Sequence, residues 1–248
     1  MNKKIFLVIG MAILSVTQLW AASFYVDGIY YNILSNSSDV EVAYGGYNSY
    51  SGNIVIPETV EYNGQKYNVI GIGTTAFYQC TGLTSVTIPN SVTTIEYSAF
   101  YNCSSLTSIS IPNSVTTIAS NAFEYCKSLS DVKLSDNLQE IGESVFFNCD
   151  NLPTTGGIRY ADTYLVEVMD NTMSSYMIKS GTKYIGERSF LNRNNMVSID
   201  IPNSVTYIGS SAFRGCPGLT SVTIQSSVTS IGSSAFYGCD GLTSVTIP

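Results

Sequence analysis

Apolar positions recur along this chain in a fixed frame. Phe77, Phe100, Phe123 and Phe146 follow one another at steps of 23 residues, and Phe190, Phe213 and Phe236 resume that step after a gap of 44. Within one period Leu83, Val86 and Ile88 form an L-x-x-V-x-I alternation, which predicts a short strand with one buried face. Pro89 has no N–H to offer a neighbouring strand, and Asn90-Ser91 suits a turn. Val92 and Ile95 predict a second buried edge. Ala99, Phe100 and Cys103 then fall on one side at helical spacing, which predicts a short helical turn.

One such period cannot bury its own Val, Ile, Leu and Phe. Stacked on its neighbours it can, because equivalent residues align into apolar ladders with strand spacing near ~4.8 Å. The expected fold class is therefore an α/β solenoid: a parallel β-sheet on one side of the coils, short helical turns on the other, and an N-terminal β-rich cap. Residues 23–73 are the expected cap with a first partial repeat. Asp27-Gly28 and Asn63-Gly64 each sit between apolar runs as hairpin turns do, and Ile54-Val55-Ile56-Pro57 matches a repeat strand. Regular repeats are expected over 74–151 and 184–248. Residues 152–183 read as a divergent, hairpin-like repeat, with strands at Tyr160–Val168 and Ser175–Lys179 joined by Asp170-Asn171-Thr172. The last residues, Leu242 to Pro248, stop inside a strand, so an uncapped end implies either a fragment of a longer protein or a partner chain covering it.

The recurring I-P-N-S-V-T-x-I, A-F-x-x-C and L-T-S-V/I segments resemble the BspA-like leucine-rich-repeat family of bacterial surface proteins. The likeness runs from about Gly52 to Pro248. It implies leucine-rich-repeat coils in a secreted or surface-displayed protein that mediates adhesion or protein and glycan binding through an extended solenoid face. Implied partners are host or microbial surface and matrix proteins or glycans. The alternative function is a structural or scaffolding repeat module of a longer exported protein, with no ligand of its own.

Lys3-Lys4, the apolar run Ile5–Val16 and Ala21-Ala22 read as a signal peptide over residues 1–22, which implies export. After its removal no transmembrane segment is expected. The formal charge is −7, without a Lys/Arg cluster, which argues against nucleic acid as a partner. The chain has no histidine, so histidine-dependent triads and zinc sites are excluded. No enzymatic activity, cofactor or metal is expected. Gly71-Ile72-Gly73-Thr74-Thr75-Ala76 mimics a dinucleotide loop, but it falls in the same frame as Ile208–Phe213, where the repeat simply turns.

Cys80, Cys103, Cys126, Cys149, Cys216 and Cys239 each follow a repeat Phe by three residues, and Arg193 takes that place once. Two readings stand for them: a ladder of buried free thiols, or bridges between neighbouring coils in an oxidising compartment. The candidate partner-binding positions are the outward residues flanking each strand's central Val or Ile. They are Ser85 and Thr87, Ser108 and Ser110, Asp131 and Lys133, Ser198 and Asp200, and Ser221 and Thr223, continued by Ser244 and Thr246. Tyr78, Tyr101, Tyr125 and Tyr237 are a second set of candidates on the opposite side.

Overall fold

Asp27-Gly28 and Asn63-Gly64 both turn through the left-handed backbone region that two-residue hairpins require, with φ of 50° and 91°, and of 51° and 77°. The computed structural model describes residues 23–35 and 38–246, so the expected leader lies outside the described residues. Two units are present: residues up to 129 with 134–150, and residues 130–133 with 151 onward.

The first unit opens with an antiparallel hairpin, β1 (Ser23–Val26) and β2 (Ile29–Ile33), with β3 (Asp39–Val42) beside β2. After β4 (Gly52–Val55), a second hairpin forms from β5 (Thr59–Tyr62) and β6 (Gln65–Ile72). From β6 onward the pairing is parallel and each coil adds a rung. The following strands are β7 (Leu83–Thr87), β8 (Thr94–Ile95), β9 (Ser108–Ser110) and β10 (Thr117–Ile118). After β11 (Asp131–Lys133), which belongs to the other unit, comes β12 (Glu140–Ile141). Ile72, Ile95, Ile118 and Ile141 stand in register along β6, β8, β10 and β12, and all four are buried. On another side of the coils β4 pairs with β7, placing Ile54 opposite Val86. The shared side chains form one continuous apolar ladder, which is how a coil with no core of its own becomes stable.

The second unit begins with an antiparallel meander: β13 (Thr154–Thr155), β14 (Ile158–Ala161) and β15 (Tyr164–Val168). Beyond it lie β16 (Ser175–Met177), β17 (Tyr184–Ile185), β18 (Ser198–Asp200), β19 (Tyr207–Ile208), β20 (Ser221–Thr223), β21 (Ser230–Ile231) and β22 (Ser244–Thr246). β15, β17, β19 and β21 form a parallel ladder, while β16 pairs with β18 and β20 with β22.

This arrangement corrects the expected hairpin. Its strands meet at Gly156-Gly157 and at Asp162, all with positive φ, whereas the strand at Ser175–Met177 runs parallel to β18. Residues 170–172 instead form a side-chain turn, in which the Asp170 carboxylate accepts from the Thr172 N–H and hydroxyl at 2.9 and 2.7 Å.

The expected short helical turns are also corrected: the described residues contain no helix. The Phe-bearing segment is a run of tight turns whose alternate N–H groups leave the coil. Ala99, Tyr101 and Cys103 donate to Glu96, Ser98 and Phe100 within their own coil, while Ser98, Phe100 and Asn102 donate to Ser120, Ala122 and Glu124 of the next coil. Left-handed residues four apart impose the alternation, such as Ser98 and Asn102 (φ 52° and 54°) or Asn121 and Tyr125 (both 61°). A residue with a Cβ loses about 1–2 kcal/mol there, so a continuous helix is impossible. Hydrogen bonds to the next coil offset that cost.

Candidate binding surfaces

The buried side of the turns is the most regular part of the molecule. Phe77, Phe100 and Phe123 stack with ring centroids 4.8 and 4.9 Å apart, as do Phe190 and Phe213 at 4.9 Å. Burying such a ring contributes about 1.5–3 kcal/mol. Tyr50 continues the stack into the N-terminal strands, 4.7 Å from Phe77, and its hydroxyl donates to the Ala43 carbonyl at 2.9 Å.

All six cysteines are buried free thiols. The thiols of Cys103, Cys126, Cys149, Cys216 and Cys239 donate to the carbonyls of Phe77, Phe100, Phe123, Phe190 and Phe213, each at 3.1 Å. The first three of those carbonyls also accept a turn N–H from the cysteine of their own coil, so the thiol fills a second lone pair. Burial pushes the Cys216 thiol up to about 11, with Cys239 adding to the rise, and it raises Cys103 and Cys149 strongly. A thiol held neutral in this way is neither a nucleophile nor a metal ligand. Where Arg193 replaces cysteine, its guanidinium donates to the Val168 carbonyl at 2.9 Å. The substitution keeps the donor and changes the side chain. No group of three or more metal-binding side chains occurs among the described residues.

The strand positions named from the repeat face outward. Thr87, Ser108, Ser110, Asp131, Lys133, Ser198, Asp200, Ser221 and Thr223 are exposed and Ser85 is half-buried. In the second unit register brings Ser198 beside Ser175, Asp200 beside Met177, and Ser221 and Thr223 beside Ser244 and Thr246. Lys133 reaches Asp162 at 3.9 Å while remaining 63% exposed, a pair worth about 0–1 kcal/mol at most. In the first unit the Asn53 carbonyl oxygen accepts from the Thr84 and Ser85 hydroxyls, both at 2.9 Å. Asn53, Ser175 and Met177 thus join the rows. The x-Tyr176-x-Ile178 alternation, which matches the repeat strand, was the signal for the last two. Met177, beside Asp200, is 77% exposed.

A second feature, exposed at Tyr44 and Tyr47 and half-buried at Tyr78, Tyr101 and Tyr125, lies over the turns of the first unit. Tyr44, Tyr47, Tyr78, Tyr101 and Tyr125 make a chain of ring contacts with centroid steps of 6.3, 6.3, 5.0 and 5.4 Å. Tyr78 and Tyr101 are stacked at 12°, and the other contacts are tilted or edge-on. In the second unit the position equivalent to Tyr78 and Tyr101 is Arg214 in one coil and Tyr237 in the next. The guanidinium of Arg214 lies 5.3 Å from the centroid of the Tyr237 ring.

The model of the BspA type leucine rich repeat region matches six copies here, over residues 47–156 and 169–248. Two solved structures are 28% identical and cover 90% of this chain: a leucine rich cell surface protein from Faecalibacterium prausnitzii A2-165 (TM-score 0.55) and a leucine-rich repeat protein from Bacteroides ovatus ATCC 8483 (TM-score 0.52). The chain spans 54% and 64% of their respective lengths. The T. pallidum leucine rich repeat protein, 24% identical with a TM-score of 0.53 over 88% of this chain and 89% of its own, shares the fold. No curated protein matches the chain. The matching region is a repeat type and not an enzyme class.

Proposed function

Because the chain belongs to the BspA-type leucine-rich-repeat family, we propose that it is an exported binding protein that engages a surface or matrix protein, or a glycan, through the outward rows of its strands. The observation that carries this reading is the exposed register of Ser175, Met177, Ser198 and Asp200 on neighbouring strands. These positions contribute nothing to the core, yet the repeat aligns them, so many weak contacts can add along the coils. The crystal structure of a cell surface protein with the same kind of fold supports the placement outside the cell. Among the described residues no helix is long and apolar enough to cross a membrane. On this reading residues 23–73 serve as the N-terminal cap.

The test is a binding screen of residues 23–248 against matrix proteins, glycans and whole bacterial or host cells. Charge reversal at Asp131, Lys133 and Asp200 is expected to weaken any binding found. Failure to bind anything in the screen, or binding that ignores all three reversals, would instead favour a scaffolding module.

A further inference from the structure

The two units differ sharply in charge. Residues 23–129 and 134–150 hold eleven carboxylates, Asp27, Asp39, Glu41, Glu58, Glu61, Glu96, Glu124, Asp136, Glu140, Glu143 and Asp150, against two lysines, Lys66 and Lys127. Residues 130–133 and 151–246 hold seven carboxylates and seven Lys or Arg. Two lysines cannot neutralise eleven carboxylates, so the first unit attracts cations whatever its internal pairing. Its tyrosine row lies in this field: the Glu124 carboxylate is close enough to help hold the Tyr101 hydroxyl above its usual range, after burial.

The second unit shows what such a row accepts. At the repeat position that Tyr78 and Tyr101 occupy, Arg214 lays its guanidinium against the ring of the next coil, 5.3 Å from the Tyr237 centroid. A planar guanidinium stacks on an aromatic face, whereas the Lys179 ammonium of the same unit stands farther from its ring, 5.8 Å from the Tyr160 centroid, so the pairing favours arginine over lysine. Along Tyr44, Tyr47, Tyr78, Tyr101 and Tyr125 no Lys or Arg among the described residues lies over a ring, and Tyr47 is 70% exposed.

We propose that the tyrosine row of the first unit is a docking strip for an extended, arginine-rich segment of another polypeptide. Guanidinium groups stack on the rings, and the Glu124 carboxylate and the net negative charge of the unit hold them. The two 6.3 Å steps, Tyr44 to Tyr47 and Tyr47 to Tyr78, match the ~6.6 Å by which alternate residues of an extended chain advance. This surface is separate from the strand rows discussed above, and either assignment can fail without the other.

The test measures binding of a labelled eight-residue peptide of alternating Arg and Gly to residues 23–248 by fluorescence anisotropy at low salt. A Lys–Gly peptide of equal length and charge is the comparison. The Arg–Gly peptide is expected to bind several-fold more tightly than the Lys–Gly peptide. The double variant Tyr47→Ser/Tyr101→Ser should weaken it about tenfold, Tyr47→Ser alone about threefold, and Tyr237→Ser not at all. Tyr47→Ser guards against misfolding because its ring is so exposed. Absence of binding, equal affinity for the two peptides, or unchanged affinity in Tyr47→Ser would overturn the proposal.

Discussion

In the first unit the thiols of Cys103, Cys126 and Cys149 give an S–H to the Phe carbonyl of the preceding coil; at the start of the second unit Arg193 gives an N–H to Val168 instead. The preceding segment there is the β14–β15 meander, which has no repeat Phe. A thiol is a short, compact donor suited to a stacked aromatic ladder. A guanidinium is long, and reaches a carbonyl across a coil built differently. The comparison teaches that what the repeat demands at this position is a donor to the coil before it. Cysteine is the way to provide one where the coils are uniform. Reactivity has no part in it at Cys103 and Cys149, where burial keeps the thiols protonated.

The contrast between a ladder with neighbours on both sides and one less enclosed gives the largest expected effect. Phe100 is fully buried between Phe77 and Phe123, whereas Phe236 is only half-buried against Phe213. Phe100→Ala should cost about 3–5 kcal/mol in urea denaturation and Phe236→Ala clearly less; equal losses would show that stacking on both faces is unimportant.

A second effect should appear in alkali. The Cys216 thiol rises from 9.0 in the unfolded chain to about 11 when folded, mainly through burial. Its contribution to stability is therefore complete below pH 9 and is lost as the pH climbs toward 11. Cys216→Ala should flatten that part of a stability-versus-pH curve, and an unchanged slope would place the alkaline loss elsewhere.

The smallest contrast concerns the left-handed turn positions. The first unit uses Gln79, Asn102, Tyr125 and Asn148 where the second uses Asn192, Gly215 and Gly238. At Gly238 (φ 74°) an added Cβ meets nothing closer than 3.6 Å, so Gly238→Ala isolates the backbone term and should cost about 1 kcal/mol. Asn102→Gly should change stability by less than about 0.5 kcal/mol. Thermal melts of both variants check the pair.

The same positions explain what could be seen in the chain beforehand and what could not. The 23-residue step exposed the coils, the strand alternation exposed which residues face out, and Asp27-Gly28 and Asn63-Gly64 marked their hairpins. The helical turns were misread because Ala99, Phe100 and Cys103 have the same spacing on a helix as on these turns. Nothing in Ser98 or Asn102 alone announces a positive φ; that conformation is imposed by hydrogen bonds to the next coil, which no single repeat contains. The hairpin within the divergent segment was assigned to the wrong turn for another reason. Asp170-Asn171-Thr172 looked like the hairpin turn, while Gly156-Gly157, a stronger turn signal, went unused. Of the outward positions, Asn53, Ser175 and Met177 escaped notice because Ser51 and Met173 stand where the L-x-x-V-x-I motif begins with Leu, and the Tyr44–Tyr47 end of the aromatic row lies outside the repeat frame altogether.

The most direct test of the donor account is Arg193→Met, which keeps an unbranched apolar stem and removes the guanidinium with its N–H groups and charge. Measured by urea denaturation, the variant is predicted to lose about 1–3 kcal/mol because the Val168 carbonyl loses the charged donor at 2.9 Å. A stability equal to that of the parent chain would contradict the account and leave the Cys and Arg positions as mere space-fillers.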